Sequence, residues 1–132
     1  MATTTLHGES EVRAAVGAHL GYSDWVVIEA AHITLFEQAT GDGDATYLAL
    51  SLSNLFLPQV VQVEGFAMGI NYGTDAVRME FGVHAGDRIR GGARLNSVVD
   101  VNGGIQTNMV IEITDDAGVA VCTIESLSRW LR

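Results

Sequence analysis

Thr40-Gly41-Asp42-Gly43-Asp44-Ala45-Thr46-Tyr47-Leu48-Ala49-Leu50-Ser51-Leu52-Ser53-Asn54-Leu55-Phe56-Leu57-Pro58 is the stretch whose reading decides the fold. It opens as a loop of small and acidic residues, in which Asp44 or Thr46 can cap a following helix, and Pro58 predicts that helix's end. Between these limits Tyr47, Leu48, Leu50, Leu52, Leu55, Phe56 and Leu57 put apolar groups on nearly every side. A helix apolar all round is expected to be buried all round, so the pattern predicts a sheet wrapped about it. The polar groups left nearby are few: Asp42 and Asp44 before the helix, and Ser51, Ser53 and Asn54 on it.

Upstream of this stretch, Glu9 to Leu20 carries Val12, Ala15, Val16 and His19 or Leu20 on one face, with Ser10 as a cap and Gly21 as a stop, and predicts an amphipathic helix. Trp25 to Ile28 is a short β-branched run and predicts a strand; His32 to Ala39, with Ile33, Phe36 and Ala39 on one face and Thr40-Gly41 behind it, predicts a helix closed by glycine. Downstream the texture changes to strands. Phe66 to Tyr72 and Ala76 to Phe81 read as two, joined by a Gly-Thr-Asp turn, and Arg88 to Val101 as a third. Asn102-Gly103-Gly104 is a hairpin signal leading into Ile105 to Ile113, and Thr114 to Gly118 turns the chain into Val119 to Leu131. Helices first and an antiparallel meander afterwards is an α+β order, read here as one domain over residues 1–132.

Composition narrows the function classes. With 48% hydrophobic residues and one proline the chain is expected to fold, and no apolar run reaches the roughly 18 to 20 residues that span a bilayer. The first residues lack a basic segment followed by an apolar one, which predicts a cytoplasmic protein. The net charge of −9, with seven arginines spread from Arg13 to Arg132, disfavours nucleic acid as a partner. There is neither a Walker loop nor a dinucleotide fingerprint, so no cofactor is expected. Cys122 stands alone in an apolar run and predicts an inert core thiol. His7, His19, His32 and His84 show no ligand spacing, and no metal is expected.

Leu20-Gly21-Tyr22-Ser23-Asp24-Trp25, Phe36 through Asp42, Gly69-Ile70-Asn71-Tyr72-Gly73 with Asp75 and Val77-Arg78, Gly86-Asp87-Arg88-Ile89-Arg90 and Glu125-Ser126-Leu127-Ser128-Arg129 occur in that order over nearly the whole chain. In this the sequence resembles the MaoC-like dehydratases, the R-specific enoyl-CoA hydratases of the hot-dog fold. The resemblance implies an antiparallel sheet around a long central helix, and a homodimer joined through sheet edges with pockets near the interface. It implies reversible addition of water to an enoyl thioester, carried by an aspartate and a histidine five positions later that together activate one water. Asp42 matches the aspartate, but Tyr47 stands where the histidine is implied. The long overhanging segment between that motif and the central helix, and the His-Gly pair that opens the helix in relatives, are absent. A phenol with an ordinary pKa near 10 does not replace an imidazole near 6.5 as a neutral-pH base.

Three readings follow. In the first, the scaffold is an enzyme, a cyclase or pericyclase-like lyase or isomerase of secondary metabolism, whose apolar cavity folds a polyene or polyketide-type molecule into reacting geometry while one donor activates a carbonyl. Tyr47, Asp42 and Asn71 are the catalytic candidates, with Ser51, Phe56, Phe66, Met68 and Tyr72 expected to bind substrate. In the second, Asp42 retains hydration, dehydration or double-bond isomerisation. In the third, the chain binds ligand without catalysis or partners a complete hydratase. Each candidate has a plainer alternative: Asp42 as a helix cap, Asn71 and Tyr72 as structural polar groups, Phe66 and Met68 as core.

Overall fold

The structure is a computed structural model and describes residues 2–132. In chain order it comprises β1 (Thr4–His7), α1 (Gly8–Ala14), β2 (His19–Tyr22), β3 (Val26–Val27), α2 (Ala30–Thr40), α3 (Leu48–Val60), β4 (Val61–Glu64), β5 (Met68–Met79), β6 (Arg88–Val101), β7 (Gly104–Asp115) and β8 (Ala120–Leu131). Six strands form an antiparallel sheet in the order β2-β6-β7-β8-β5, with β3 also pairing β6, while β1 and β4 form a separate parallel pair. The fold is α+β, with α3 lying against the sheet.

The hairpins arise where turn chemistry and alternation agree. Asn102-Gly103 joins β6 to β7 in two residues, with Gly103 at φ +83°, as the tight turn demands. At the next turn Asp115 Oδ1 accepts the Ala117 and Val119 N–H groups at 3.0 and 2.9 Å. Register then sets Ile111 opposite Ile124 and Ile113 opposite Cys122, building an apolar face that receives α3. Phe56 anchors the helix there. It is fully buried, and a Cβ on Gly91 of β6 would stand 2.7 Å from Phe56 Cβ, so this approach requires glycine. A second core cluster gathers Val12, Leu20, Val60, Val61, Leu95, Ile105 and Met109 at the other end of the sheet.

Five expectations are corrected. The helix expected over Glu9 to Leu20 ends at Ala14. Gly17 turns at φ +88° and donates to Leu95 O at 2.7 Å, while Leu95 donates back to Ala18 O, so His19 to Tyr22 is drawn into the sheet as β2. Phe66 to Tyr72 and Ala76 to Phe81 are one strand, because Gly73-Thr74-Asp75 is taken up by register shifts against β8 rather than by a turn. Neither Asp44 nor Thr46 caps α3, and Pro58 lies inside it; the Val61 N–H bonds Leu57 O and carries the helix to Val60. Nor is α3 buried all round: Leu48, Ala49, Phe56 and Val60 are buried, whereas Leu55 keeps 48% of its surface in water. The sheet covers one flank of the helix, and the rest borders open depressions. No helix among the described residues is long and apolar enough to cross a membrane.

Candidate functional site

The loop between α2 and α3 holds Asp42. Gly41 closes α2 in the left-handed conformation, at φ 73° and ψ 7°, and aims the chain back toward the start of α3. The Asp42 N–H donates to Thr40 Oγ1 at 3.2 Å, and Asp42 Oδ2 accepts the Tyr47 N–H at 3.0 Å. Five positions after the aspartate, Tyr47 therefore meets that carboxylate through its backbone and not its side chain. The bond satisfies a donor at the helix N-terminus, where a negative charge is favourable. The Tyr47 ring is 55% exposed.

One turn into α3, the Ser51 hydroxyl donates to Tyr47 O at 2.9 Å. With its proton so engaged, Ser51 offers an acceptor to anything lying beside it. Ser51 lines a groove of about 400 Å³ between α3 and the β5 side of the sheet. Leu50, Leu57, Pro58, Ile111 and Ile124 give the groove apolar walls, and Ser51, Ser53, Asn54, Asn71, Thr74 and Ser126 give it hydroxyls and amides. Asn71 faces Ser128 and Thr74 faces Ser126 across the β5–β8 pairing; as strand neighbours Asn71 and Tyr72 take opposite faces, and the extra residue at the Asn71/Gly73 shift brings Thr74 onto the same face as Asn71.

Of the residues expected at the site, the groove brings together Asn71 and Ser51; the Ser51 hydroxyl donates to Tyr47 O, and the Tyr47 N–H donates to Asp42 Oδ2. The other four lie elsewhere. Phe56 is core against Gly91, and Phe66 packs 6.2 Å from the Trp130 ring in the second cluster. Met68 is 56% exposed opposite Leu131, and Tyr72 stacks under the Arg129 guanidinium at 3.7 Å on the outer face. Among the described residues Asp42 bonds Thr40 and Tyr47 and, through its backbone carbonyl, the Ala45 N–H. The histidines are engaged apart from it: His7 with Glu64, His19 with the Gly21 N–H, His32 with the Glu29 N–H and His84 with Asp87. Cys122 is fully buried, and burial pushes its thiol up to about 11.

No family model matches the chain. The 3-hydroxyacyl-thioester dehydratase Z of Mycobacterium tuberculosis is 30% identical to it over 149 aligned positions, which cover 96% of this chain and 98% of the relative. This chain belongs to the MaoC-like dehydratase family. The fold agrees: a MaoC-like dehydratase from Rhodospirillum rubrum superposes with a TM-score of 0.67 at 15% identity, over 89% of this chain and 93% of that one. The ChsH1-ChsH2 complex from Mycobacterium tuberculosis superposes with a TM-score of 0.55 at 14% identity, over 89% and 98%. Since 149 aligned positions exceed 132 residues, the dehydratase Z relative carries residues that this MaoC-like chain lacks.

Thr74, Asn54 and Ser126 complete the groove and escaped the sequence reading as site residues. Ser126 shares the β8 alternation of Cys122 and Ile124 and was legible as inward-facing. Thr74 was not, because the extra residue at the Asn71/Gly73 register shift breaks the two-residue period before it. Chemically, the groove of this MaoC-like protein can hold an apolar body, donate from Asn71 and accept at Ser51. Among the described residues its lining includes no carboxylate or imidazole to exchange a proton with water.

Proposed function

We propose that this MaoC-like protein is an enzyme that binds a hydrophobic polyene-type small molecule in the groove along α3 and promotes its cyclisation. The observation that carries this reading is the bond from the Tyr47 N–H to Asp42 Oδ2, which commits the carboxylate to the start of α3, while among the described residues the histidines bond other groups. A ring closure between two parts of one substrate transfers no proton to the protein. Its barrier falls when the reacting ends are held together and a donor polarises a conjugated carbonyl. Leu50, Leu57, Ile111 and Ile124 would shape the chain, and the Asn71 amide would donate to the carbonyl.

The groove abuts β5, the edge of the sheet, exposed along nearly all of its 12 residues. Pairing of β5 with the same strand of a second copy would extend the sheet and wall the groove from outside, which supports a homodimer as the working form.

The test compares purified protein on crotonyl thioester with its action on a linear conjugated triene bearing a ketone and a tethered alkene, read by liquid chromatography. Cyclised product without hydration is expected. Asn71→Phe, which fills the groove from an exposed strand, should abolish cyclisation, while Asp42→Asn should retain most of it. Hydration of the crotonyl thioester that Asp42→Asn removes would instead establish residual acid/base chemistry at Asp42. A second reading, a partner subunit of a complete hydratase, draws on the same open edge and on the two-chain architecture of the ChsH1-ChsH2 neighbour. It requires stable co-purification with a full-length relative and inactivity alone.

A further inference from the structure

The groove beside β5 occupies one flank of α3. On the other, between α2 and α3, lies an open cleft of about 400 Å³ walled by Ile28, Leu35, Phe36, Leu48, Leu52 and Leu55. Ile28 and Leu48 are buried at its floor, while Leu35 at the lip keeps 64% of its surface in water. The volume is that of a small-molecule pocket, and the lining is aliphatic and aromatic. Among the described residues a single polar side chain, His32, borders it. Its Nδ1 accepts the Glu29 N–H at 3.0 Å in the capping box that opens α2. In the neutral ring the proton therefore sits on Nε2, leaving one donor on an exposed imidazole.

We infer that the α2–α3 cleft is a second ligand site, which takes a neutral small molecule with an apolar body and one carbonyl acceptor for the His32 Nε2–H. The chemistry of the walls selects this occupant. A protein partner forms about one hydrogen bond per 100 to 200 Å² of interface and needs a polar rim, whereas this cleft offers one donor and no charged side chain. An ionised ligand would lose hydration there with no counter-charge. The site shares no residue with the β5 groove and stands independently of the cyclisation reading.

The test titrates the full chain with 6-propionyl-2-(dimethylamino)naphthalene, a neutral fluorophore with one ketone whose emission moves to the blue in apolar surroundings. Saturable binding with a blue shift is expected. Leu35→Glu places a charge at an exposed lip with little risk to folding, and should weaken binding more than tenfold. Asn71→Phe, across α3, should leave this binding unchanged. His32→Phe keeps the ring and removes the donor, so affinity should fall about three- to tenfold and emission should shift further to the blue. Binding lost in Asn71→Phe but kept in Leu35→Glu would put the ligand in the groove and overturn the inference. Absence of saturable binding to the unsubstituted protein would also overturn it, and a change of oligomeric state in Leu35→Glu would then give the cleft to a second copy.

Discussion

Asp42 shows how a residue keeps its place in a motif while its work changes. Its carboxylate is half-buried and accepts a backbone N–H at the start of α3, so its removal should register in stability. Asp42→Ala is expected to cost about 1 kcal/mol, the usual loss of a capping acceptor, and to lower the melting temperature by roughly 4 °C; Asp42→Asn keeps an acceptor oxygen and should cost far less. Calorimetry of the two variants checks this without any substrate. Gly91 is the corresponding steric residue. A methyl group there meets Phe56 Cβ at 2.7 Å, and both are held in the core, so Gly91→Ala should destabilise by about 1 to 3 kcal/mol, measurable as a lower urea midpoint. At Cys122, a thiol raised to about 11 by burial stays protonated in the fold while the unfolded chain ionises near its ordinary value. Its contribution is complete below the unfolded pKa and is lost as pH rises toward 11. Reaction with a disulfide reagent at pH 8 should accordingly track global unfolding and not solvent access.

Elements were legible where one local signal and one long-range constraint agreed. The β6–β7 hairpin is written in Asn102-Gly103 and in two runs of sufficient length, and α2 in Gly41, whose left-handed conformation ends it. The α1 region misled because Val12, Ala15 and Val16 have helical spacing, yet the Gly17 bond to Leu95 O overrides it, and Leu95 lies far away in sequence. The parallel pairing of β1 with β4 joins segments some 57 positions apart and leaves no local trace. In the candidate site, Asn71 and Ser51 were readable from strand and helix position, and strand alternation alone sets Tyr72 on the face opposite Asn71; what no period reveals is the register shift that returns Thr74 to the Asn71 face. That same irregular strand is the sheet's edge, with Ile70 and Val77 39% and 40% exposed. If two copies pair there, Val77→Lys should shift light-scattering mass from dimer to monomer, because a lysine on an edge strand disfavours strand addition. An unchanged mass would place the contact elsewhere.

At the scale of the whole molecule, charge sets the terms on which two copies can meet. Each chain carries −9 at neutral pH, and three of its seven arginines are already engaged with carboxylates of the same chain: Arg13 with Glu9 and Asp100, Arg132 with Glu9, and Arg78 with Glu80. Bringing two such bodies together costs Coulomb energy that the ionic atmosphere relieves. The screening length falls from about 10 Å at 0.1 M salt to about 3 Å at 1 M. An interface made by backbone pairing and apolar side chains along β5 depends on no ion pair, so its attractive part should survive salt while the repulsion fades. Dimerisation measured by sedimentation should therefore tighten several-fold between 20 mM and 0.5 M sodium chloride. Val77→Lys should retain the same upward trend from a weaker starting point, since it adds one positive charge to each acidic chain without abolishing their mutual repulsion. Weakening with salt would mean that intermolecular ion pairs hold the dimer, and the edge of β5, whose apolar residues alternate with few charges, would no longer be its seat.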